Sequence, residues 1–371
     1  MFVIGIDAHK SSHTLVAVDG TGRRQAEKTV DATDSGHHKA LRWARGRYPT
    51  DELTWAIEDV RHVSGRLERF LLESGERCVR VPTRLMARTR HETSRVPGKS
   101  DPVDALAVAR AYLREPSLPV ACHDDASREL KLLVDYRESL VMQRTAIWNR
   151  LLWRIHELDP GRKVGPLDAV RHREPVQRWL ATLSGVVAQL AGVELEDIAR
   201  LTTDIRQWER RIDERVRDIA PNLLDMPGVG TLTAARIIGE AAMVTRFAGS
   251  EAAFARFAGV APAPRWSGST AGQMRRSKVG NRRLNSAVHR VAVTQLRLGG
   301  PGRLYFEKKV QEGHSRSMAL RSLKRRVCRV VFTRLNADQR IRYPNSGPPE
   351  TWAGQRNSSA SASDGHEGSA D

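Results

Sequence analysis

Four acidic residues in the first third of the chain stand where carboxylates can do chemistry together. Asp7 ends one apolar segment, and Glu58 ends another later in the chain. Asp101 and Asp104 lie in the stretch SDPVDALAVARAYL, where a spacing of three places both on one face of a helix. We therefore expect these four side chains to converge on one point.

Such a cluster predicts a metal site. Close carboxylates repel one another and raise each other's pKa values, and divalent cations remove this cost. Mg²⁺ prefers oxygen ligands and keeps substrate phosphate in its shell, and a pair of ions can stabilise both the attacking and the leaving oxygen of phosphoryl transfer. The pattern favours two Mg²⁺ ions, with Mn²⁺ as the alternative. Each acid alone also has an ordinary explanation, as a helix cap (Asp101), a loop acid (Glu58) or a turn residue (Asp7).

The elements that must position these acids can be predicted from hydrophobic periodicity. Helical spacing occupies 63–73, and a further helix begins near Ser100 or Asp101, with Pro102 in its first turn. The strands are expected at 2–7, 14–19, 25–30, 53–59 and 78–82. Three consecutive strands followed by alternating strands and helices predict a mixed α/β sheet. Sites in such sheets gather at the carboxyl ends of strands.

The middle of the chain is predicted to be helical. Apolar residues at a spacing of three and four extend over 126–158 and 195–220, with charged residues between them. This pattern predicts an antiparallel helical hairpin or a dimeric coiled coil, and a plain helical bundle is the alternative. Residues 159–175, rich in Pro, Gly and Arg, are expected to form a loop.

The charge of the chain points to a polyanionic partner. The formal net charge is +18 and the sequence pI is about 10.6. Codon bias in a high-GC genome explains Arg in place of Lys, but it does not explain the surplus of positive charge. Acidic residues are absent between Glu251 and Glu307, where a solvated surface would mix both signs. A phosphate-binding surface explains this interval.

A turn before that interval has the form of a helix-hairpin-helix. In LLDMPGVGTLTAARIIGE, Gly228 and Gly230 would let backbone N–H groups approach a phosphate at a helix N-terminus. An ordinary tight turn is the alternative.

The remaining composition excludes several classes of protein. The three cysteines are far apart and lack CxxC spacing, which argues against a structural zinc site or disulfides. The apolar runs are too short to span a membrane, and the N-terminus is not a signal peptide. We expect a cytoplasmic, nucleoid-associated bacterial protein. Residues 344–371, poor in apolar side chains, are expected to be a disordered tail.

Several of these segments resemble the DEDD-motif transposases of insertion-sequence family 110. The resemblance lies in IGIDAHKSSHTLVAV, IEDV, KSDPVDALAVARAY and the string GVAP…SGS…SKVGNRRL, and it covers nearly the whole chain apart from the tail. It implies an RNase H-like, RuvC-type N-terminal domain with Asp7, Glu58, Asp101 and Asp104 as the metal ligands. It also implies a C-terminal transposase domain whose serine joins DNA covalently.

Matched residue by residue, that serine is Ser267, with Ser269 as the alternative and a structural role for both still open. The family's KRGN string reads Lys278-Val279-Gly280-Asn281 here, so one basic residue is replaced by valine. The residues expected to bind phosphate in this region are Arg265, Arg275, Arg276, Lys278, Arg282 and Arg283.

The resemblance further implies partners and an architecture. The partners are double-stranded DNA, both element ends and target, and a structured guide RNA from the element. The protein is expected to form homodimers or tetramers through its helical middle, with an active site composed from two subunits. The domains would be 1–125 (catalytic), 126–220 (helical), 221–343 (transposase) and 344–371 (tail).

Three other functions stay open on the sequence alone. The first is a RuvC-like endonuclease that uses water as its nucleophile. The second is a DNA-binding protein with a decayed site, which the presence of all four acids and the serine argues against. The third is a module that binds RNA only.

Overall fold

The described part of the chain begins with a five-stranded mixed sheet. The structure is a computed structural model that describes residues 1–49, 52–83, 85–86, 101–116, 118, 120–122, 124–247, 249–264, 274–275 and 280–344. Its contacts divide the chain into an N-terminal unit, 1–123, and a C-terminal unit, 124–371. The four-part division expected from the sequence remains a prediction.

The N-terminal unit follows the predicted order of elements. Its strands are β1 (Phe2–Ala8), β2 (Ser12–Asp19), β3 (Arg24–Asp31), β4 (Leu53–Glu58) and β5 (Arg77–Val81), and its helices are α1 (Asp34–Arg47), α2 (Arg61–Glu73) and α3 (Asp101–Arg114). The sheet order is β3-β2-β1-β4-β5. β1 is antiparallel to β2 and parallel to β4, and β4 is parallel to β5. The five predicted strands are confirmed, each with bounds within two residues.

Helices cover both faces of this sheet, which explains why its central strands are apolar at nearly every position. Ile4 and Ile6 of β1 pack toward α1 and α2, and Val3 packs on the opposite face with Val108 of α3. Since side chains alternate along a strand, the odd-numbered residues of β1 face α3. Asp7 therefore lies on the face that α3 covers.

Gly5 allows α3 to lie directly on β1. A Cβ at Gly5 would lie 2.0 Å from the carbonyl oxygen of Ala105 and 2.7 Å from the backbone nitrogen of Ala109. No side chain fits there without displacing α3, which carries Asp101 and Asp104 in its first turn. Asp101 is the first residue of α3 and not its cap, and Ser100 lies outside the described residues.

The C-terminal unit is largely helical. Its helices are α4 (Asp125–Leu158), α5 (Val170–Leu180), α6 (Val186–Ile219), α7 (Pro221–Leu224), α8 (Thr231–Ala241), α9 (Glu251–Phe257), α10 (Arg282–Leu298), α11 (Pro301–Gln311) and α12 (Arg316–Arg342). A 3₁₀ turn covers Val244–Phe247, and β6 (Ala263–Pro264) pairs with β7 (Met274–Arg275). None of the helices in the described part of the chain combines the length and the apolar character needed to cross a membrane.

α4 and α6 form an antiparallel hairpin within one chain. Ion pairs join Glu129 to Arg215 at one end and Arg154 to Glu194 at the other, so residue numbers rise on one helix as they fall on its partner. α6 begins at Val186, nine residues before the predicted start at 195. The buried positions of its first turns are the small residues Ala188 and Ala191, whereas Val186 and Val193 are exposed, so large apolar residues do not mark this start.

The predicted loop 159–175 is partly wrong, because α5 begins at Val170 and contains Pro175. The helix is stabilised by tertiary packing: Val176 and Leu180 join a cluster with Leu151 and Ile198 of the hairpin. Proline weakens a helix locally, but burial of this apolar face offsets that cost.

α12 is the centre of the remaining helices. Its apolar side, from Ala319 to Leu335, packs in one core with α8, α9 and α10. Near its end the buried Asp338 accepts hydrogen bonds from the backbone nitrogens of Asn222 (2.9 Å) and Leu223 (3.0 Å) at the start of α7. This helix therefore fixes the chain where the hairpin ends. The predicted tail lies outside the described residues beyond 344.

Candidate metal centre and nucleic-acid interface

Asp7, His9 and Asp101 form a compact group at the end of β1. Their ligand atoms all lie within 4.8 Å of one another. His9 Nε2 lies 3.1 Å from Asp7 Oδ2 and 3.4 Å from Asp101 Oδ1. Two carboxylates and an imidazole are a donor set that suits a divalent cation.

Asp104 and Glu58 lie beside this group but not within its 4.8 Å limit. Asp104 is buried one turn along α3 from Asp101, and its charge acts on Asp7. In the parallel register Ile6 pairs with Ile57, so Asp7 and Glu58 are the next residues on neighbouring strands. Glu58 lies two residues from Ala56, which packs on the α3 face, so period-two alternation assigns Glu58 to the same face as Asp7.

Asp7 is only 4% exposed, and its pKa is raised from the ordinary value. Burial is the main cause; His9 lowers the pKa, while the charges of Asp104 and Asp101 raise it further. Among the described residues, no lysine or arginine nitrogen lies within 4.0 Å of this carboxylate. The Asp7 carboxylate, beside His9 and Asp101, therefore suits a divalent cation.

His9 is the member of this group that sequence reasoning missed. A usable signal was present, because His9 follows Asp7 by two positions and residues at that spacing share one side of an extended chain. His13, the next histidine, belongs elsewhere: it is buried and stacks on His37 of α1 at 5.5 Å between ring centroids.

The turn predicted to be a helix-hairpin-helix lies between α7, which is only four residues long, and α8. Gly228 has φ +84°, a conformation that favours glycine, and a Cβ there would lie 3.1 Å from the carbonyl oxygen of Val291. Gln295 Nε2 donates to the carbonyl oxygen of Pro227 at 2.8 Å. Gly230 is the N-cap of α8 and has open space around its Cβ position. Gly228 is thus packed against α10, whereas Gly230 lies open.

Only some of the predicted phosphate-binding residues are described. Arg275 lies in β7, and Arg282 is exposed in the first turn of α10. Arg283 donates to Asp135 of α4 at 2.6 Å, so its charge already has an acidic partner in the chain. The others, Arg265, Ser267, Ser269, Arg276 and Lys278, lie outside the described residues.

The stretch that contains these residues has fixed ends. Asn281 caps α10 by accepting from Leu284 N, and its own backbone nitrogen donates to Phe257 O at 2.7 Å. Gly280 has φ +117°, and a Cβ there would lie 2.6 Å from the backbone nitrogen of Gly259. The described residues on either side of 265–273 and 276–279 are therefore held together at α9 and α10.

A buried carboxylate completes this anchor. Glu240 of α8, 4% exposed, accepts from Asn281 Nδ2 at 2.7 Å and from Lys131 Nζ at 2.5 Å. Arg283 and Arg236 add further positive charge at 3.7 and 4.0 Å. Burial by itself would raise the pKa of Glu240, but the hydrogen bonds from Lys131 and Asn281 outweigh burial and lower it. Sequence reasoning did not single out Glu240.

Two family models match this chain. Residues 4–157 match a family described as "Transposase", the DEDD type of IS110 elements. Residues 220–307 match the "Transposase IS116/IS110/IS902 family". The chain belongs to the IS110/IS116 family of transposases. The resemblance stated from the sequence is thereby confirmed, and an IS110-family transposase is an enzyme that acts on DNA.

Curated relatives agree with this membership over nearly the full length. The chain is 28% identical to an uncharacterized protein of insertion element IS116 from Streptomyces clavuligerus, over 94% of this chain and 97% of the relative. It is 25% identical to an uncharacterized protein of insertion element IS900 from Mycobacterium paratuberculosis, over 92% and 96%.

Solved structures give a weaker likeness. Thermus thermophilus RuvC in complex with a Holliday junction substrate is 16% identical, with a TM-score of 0.26, and the match covers 33% of this chain and 99% of that chain. A second structure of Thermus thermophilus RuvC gives 17% identity and the same TM-score over 33% and 100%. The family itself implies binding to DNA and a divalent metal, for which Asp7, His9 and Asp101 are candidates.

Proposed function

We propose that this IS110-family transposase cleaves and rejoins DNA strands in a metal-dependent reaction through a covalent phosphoserine intermediate. The observation that carries the metal-dependent part of the proposal is the buried carboxylate of Asp7 beside His9 and Asp101. A carboxylate whose pKa is raised by burial and by like charges gains most from a bound cation.

The ligands in this proposal are Asp7, Glu58, Asp101 and Asp104, which would hold Mg²⁺, with two ions favoured and Mn²⁺ as the alternative. Bound there, the metal would supply positive charge to the phosphoryl oxygens. His9 lies within the same group and is either a further ligand or a hydrogen-bond donor that orients Asp7. An RNase H-like, RuvC-type domain agrees with this arrangement, in which strands β1 and β4 end side by side.

Ser267 is the nucleophile in this proposal. Its Oγ forms a bond to phosphorus as the bond from phosphorus to one strand oxygen breaks, and the serine proton passes to the departing strand, which leaves as a free hydroxyl. Attack of a strand hydroxyl on the phosphoserine reverses the step and releases Ser267.

Phosphate binding is assigned to the turn at Gly230 and to the basic residues around the serine. Gly228 contributes through the shape of the same turn. The remaining members of this set are Arg265, Arg275, Arg276, Lys278, Arg282 and Arg283, of which Arg283 would have to exchange its pairing with Asp135 for a phosphate.

The guide RNA, the oligomeric assembly and the cellular location are also part of the proposal. A structured RNA from the element would guide the choice of DNA, and two or four copies of the chain would assemble through the helical region of α4 and α6. Trp153, 74% exposed, and Val186, 66% exposed, leave apolar surface on that region. We infer action in the bacterial cytoplasm at the nucleoid, where the DNA substrate is.

A covalent-capture assay tests the serine. End-labelled element DNA, RNA transcribed from the element and Mg²⁺ are mixed with the wild type, Ser267→Ala or Ser269→Ala and separated on a denaturing protein gel. Ser184→Ala, at an exposed serine between α5 and α6, is the matched control. We expect labelled protein from the wild type, Ser269→Ala and Ser184→Ala, and none from Ser267→Ala.

The alternative nucleophiles, Ser269 and water, predict different patterns of labelled protein on the gel. Loss of the adduct in Ser269→Ala alone assigns the nucleophile to Ser269. Cleavage by Ser267→Ala with no adduct in any lane indicates a RuvC-like endonuclease that uses water. Omitting the RNA tests guidance separately, because a guided enzyme loses cleavage in that lane.

A further inference from the structure

α12 lies beyond the residues that either family model matches, which end at 307. One side of this 27-residue helix is buried in the core of the C-terminal unit. Other positions around the helix are exposed, and five of them are arginines. These are Arg316, Arg321, Arg326, Arg329 and Arg340.

The outward side of α12 has no acidic residue of its own. The single acid in the helix, Asp338, is 1% exposed and is used by the backbone of α7. Three outward arginines also recur along one side: at 3.6 residues per turn, Arg321, Arg329 and Arg340 lie within about 100° of one another. The exposed surface of the helix therefore carries a stripe of positive charge.

Neighbouring elements neutralise this stripe only in part. Glu251 of α9 pairs with Arg325 and lies 3.8 Å from Arg329. Arg326 lies over the ring of Tyr305 at 4.7 Å. In the part of the chain that the structure describes, Arg321 and Arg340 have no carboxylate within 4.0 Å.

Another long helix of the same unit shows that this is not a general property of the surface. On α6 the exposed Arg200 pairs with Asp197 and Asp204, and Arg217 pairs with Asp213. Such i,i+3 and i,i+4 pairs are typical of a helix that faces water. α6 therefore lacks the surplus of positive charge that α12 carries.

α10 extends the basic surface beside α12. Its exposed residues include His289 and Arg290. Burial lowers the pKa of His289, and the nearby positive charge of Lys324 of α12 lowers it further. Lys324 also donates to Asn285 of α10 at 2.8 Å, which joins the two helices. Lys324 of α12 and the exposed Arg290 of α10 thus place positive charge on two adjoining helices.

We propose that the outward face of α12 binds the phosphate backbone of double-stranded DNA without reading its sequence. This rests on the proposed function in one respect, that DNA is the substrate. Arg321 and Arg340 are 19 residues apart, or about 28 Å along a helix, which matches about eight base pairs. The only aromatic residue of α12, Phe332, is buried, so this face offers charge and no aromatic ring of its own for base stacking.

Salt-dependent binding tests the proposal. The triple variant Arg321→Gln/Arg329→Gln/Arg340→Gln is compared with Arg24→Gln/Arg42→Gln/Arg66→Gln, which removes three exposed positive charges from the N-terminal unit. Fluorescence anisotropy with a random-sequence duplex and EDTA measures affinity with no strand cleavage, and circular dichroism checks folding. Glutamine is a good helix former, so α12 should be retained.

We expect the α12 triple to bind duplex DNA about 100-fold more weakly at 0.1 M salt and to lower the slope of log K against log salt by about 2 to 3. The control triple should change the affinity only a few-fold. Equal loss in the two triples, or no duplex binding by the wild type, overturns the proposal. So does an α12 triple that loses affinity for a structured RNA and keeps it for duplex DNA.

The binding assay and the covalent-capture assay fail independently. If Ser267→Ala still cuts DNA while the α12 triple binds weakly, the serine mechanism is wrong and the α12 surface stands. If Ser267→Ala loses the adduct and the α12 triple binds like its control, the mechanism stands and the α12 surface is wrong.

Discussion

Asp7 and Glu240 are both 4% exposed, one in each unit, yet their surroundings differ. Asp7 has two neighbouring carboxylates and one histidine, and its pKa is raised. Glu240 has Lys131, Asn281 and Arg283 around it, and its pKa is lowered. The first carboxylate has only a histidine as a basic partner among the described residues and suits an added cation, whereas the second is neutralised by the fold itself.

The contrast separates a ligand-binding acid from a structural acid without reference to motif. A buried charge without a partner is costly, so a protein retains one only where something else compensates for it. A buried charge with complete hydrogen bonds holds elements together, as Glu240 joins α4, α8 and α10. Charge balance around a buried acid is therefore as informative as the acid itself.

The largest expected effect is on catalysis. Asp7→Asn should lower the rate of DNA strand cleavage by at least about 10³-fold, because it removes a charge from the metal site. Its unfolding free energy without metal should be unchanged or higher, since a neutral side chain suits the buried position. Single-turnover cleavage and thermal melting in EDTA measure the two quantities. A variant that cuts DNA normally would remove Asp7 from the site.

The reverse pattern is expected at Glu240. Glu240→Ala should lower the unfolding free energy by about 3 kcal/mol, since it leaves Lys131 and Asn281 without their buried acceptor. Chemical denaturation with and without Mg²⁺ should give the same loss. If the loss depends on Mg²⁺, Glu240 is a metal ligand and the contrast with Asp7 disappears.

A pH titration sharpens the comparison with a third buried group. Burial, with smaller effects from His37 and His9, lowers the pKa of His13 to about 4 from 6.5. Between these values the unfolded chain binds a proton that the folded chain does not, so stability falls as pH falls from 6.5 to 4. His13 should contribute up to about 3 kcal/mol to this fall. Denaturation midpoints across this range should flatten in His13→Gln, and an unchanged slope would show that His13 is not responsible.

The smallest expected effect is the metal's own stabilisation. Mg²⁺ at about 100 times its dissociation constant should stabilise the wild type by about 2.7 kcal/mol, because it binds only the folded site. Melting scans should show this shift in Glu240→Ala but not in Asp7→Asn. Equal shifts in both variants would place the ion elsewhere in the molecule.

The sequence by itself determined the sheet and the candidate acids. Strands β1 and β4 were predictable because residues buried on both faces leave a local apolar signal, and Asp7 and Glu58 stand where that signal ends. The family followed from short motifs, which need no tertiary information. The sequence signals failed at the start of α6, where the larger apolar residues are exposed, and over α5, where Pro175 and its neighbours indicated a loop.

The tertiary structure decided which charges meet. His9 joins Asp7 and Asp101, Arg283 is paired with Asp135, and Glu240 is buried among cations from three helices. It also decided which side of α12 faces outward and leaves Arg321 and Arg340 without acidic partners in the described chain. The physical reason is that electrostatic interactions depend on distance and burial between residues far apart in sequence, which residue types and spacing alone do not specify.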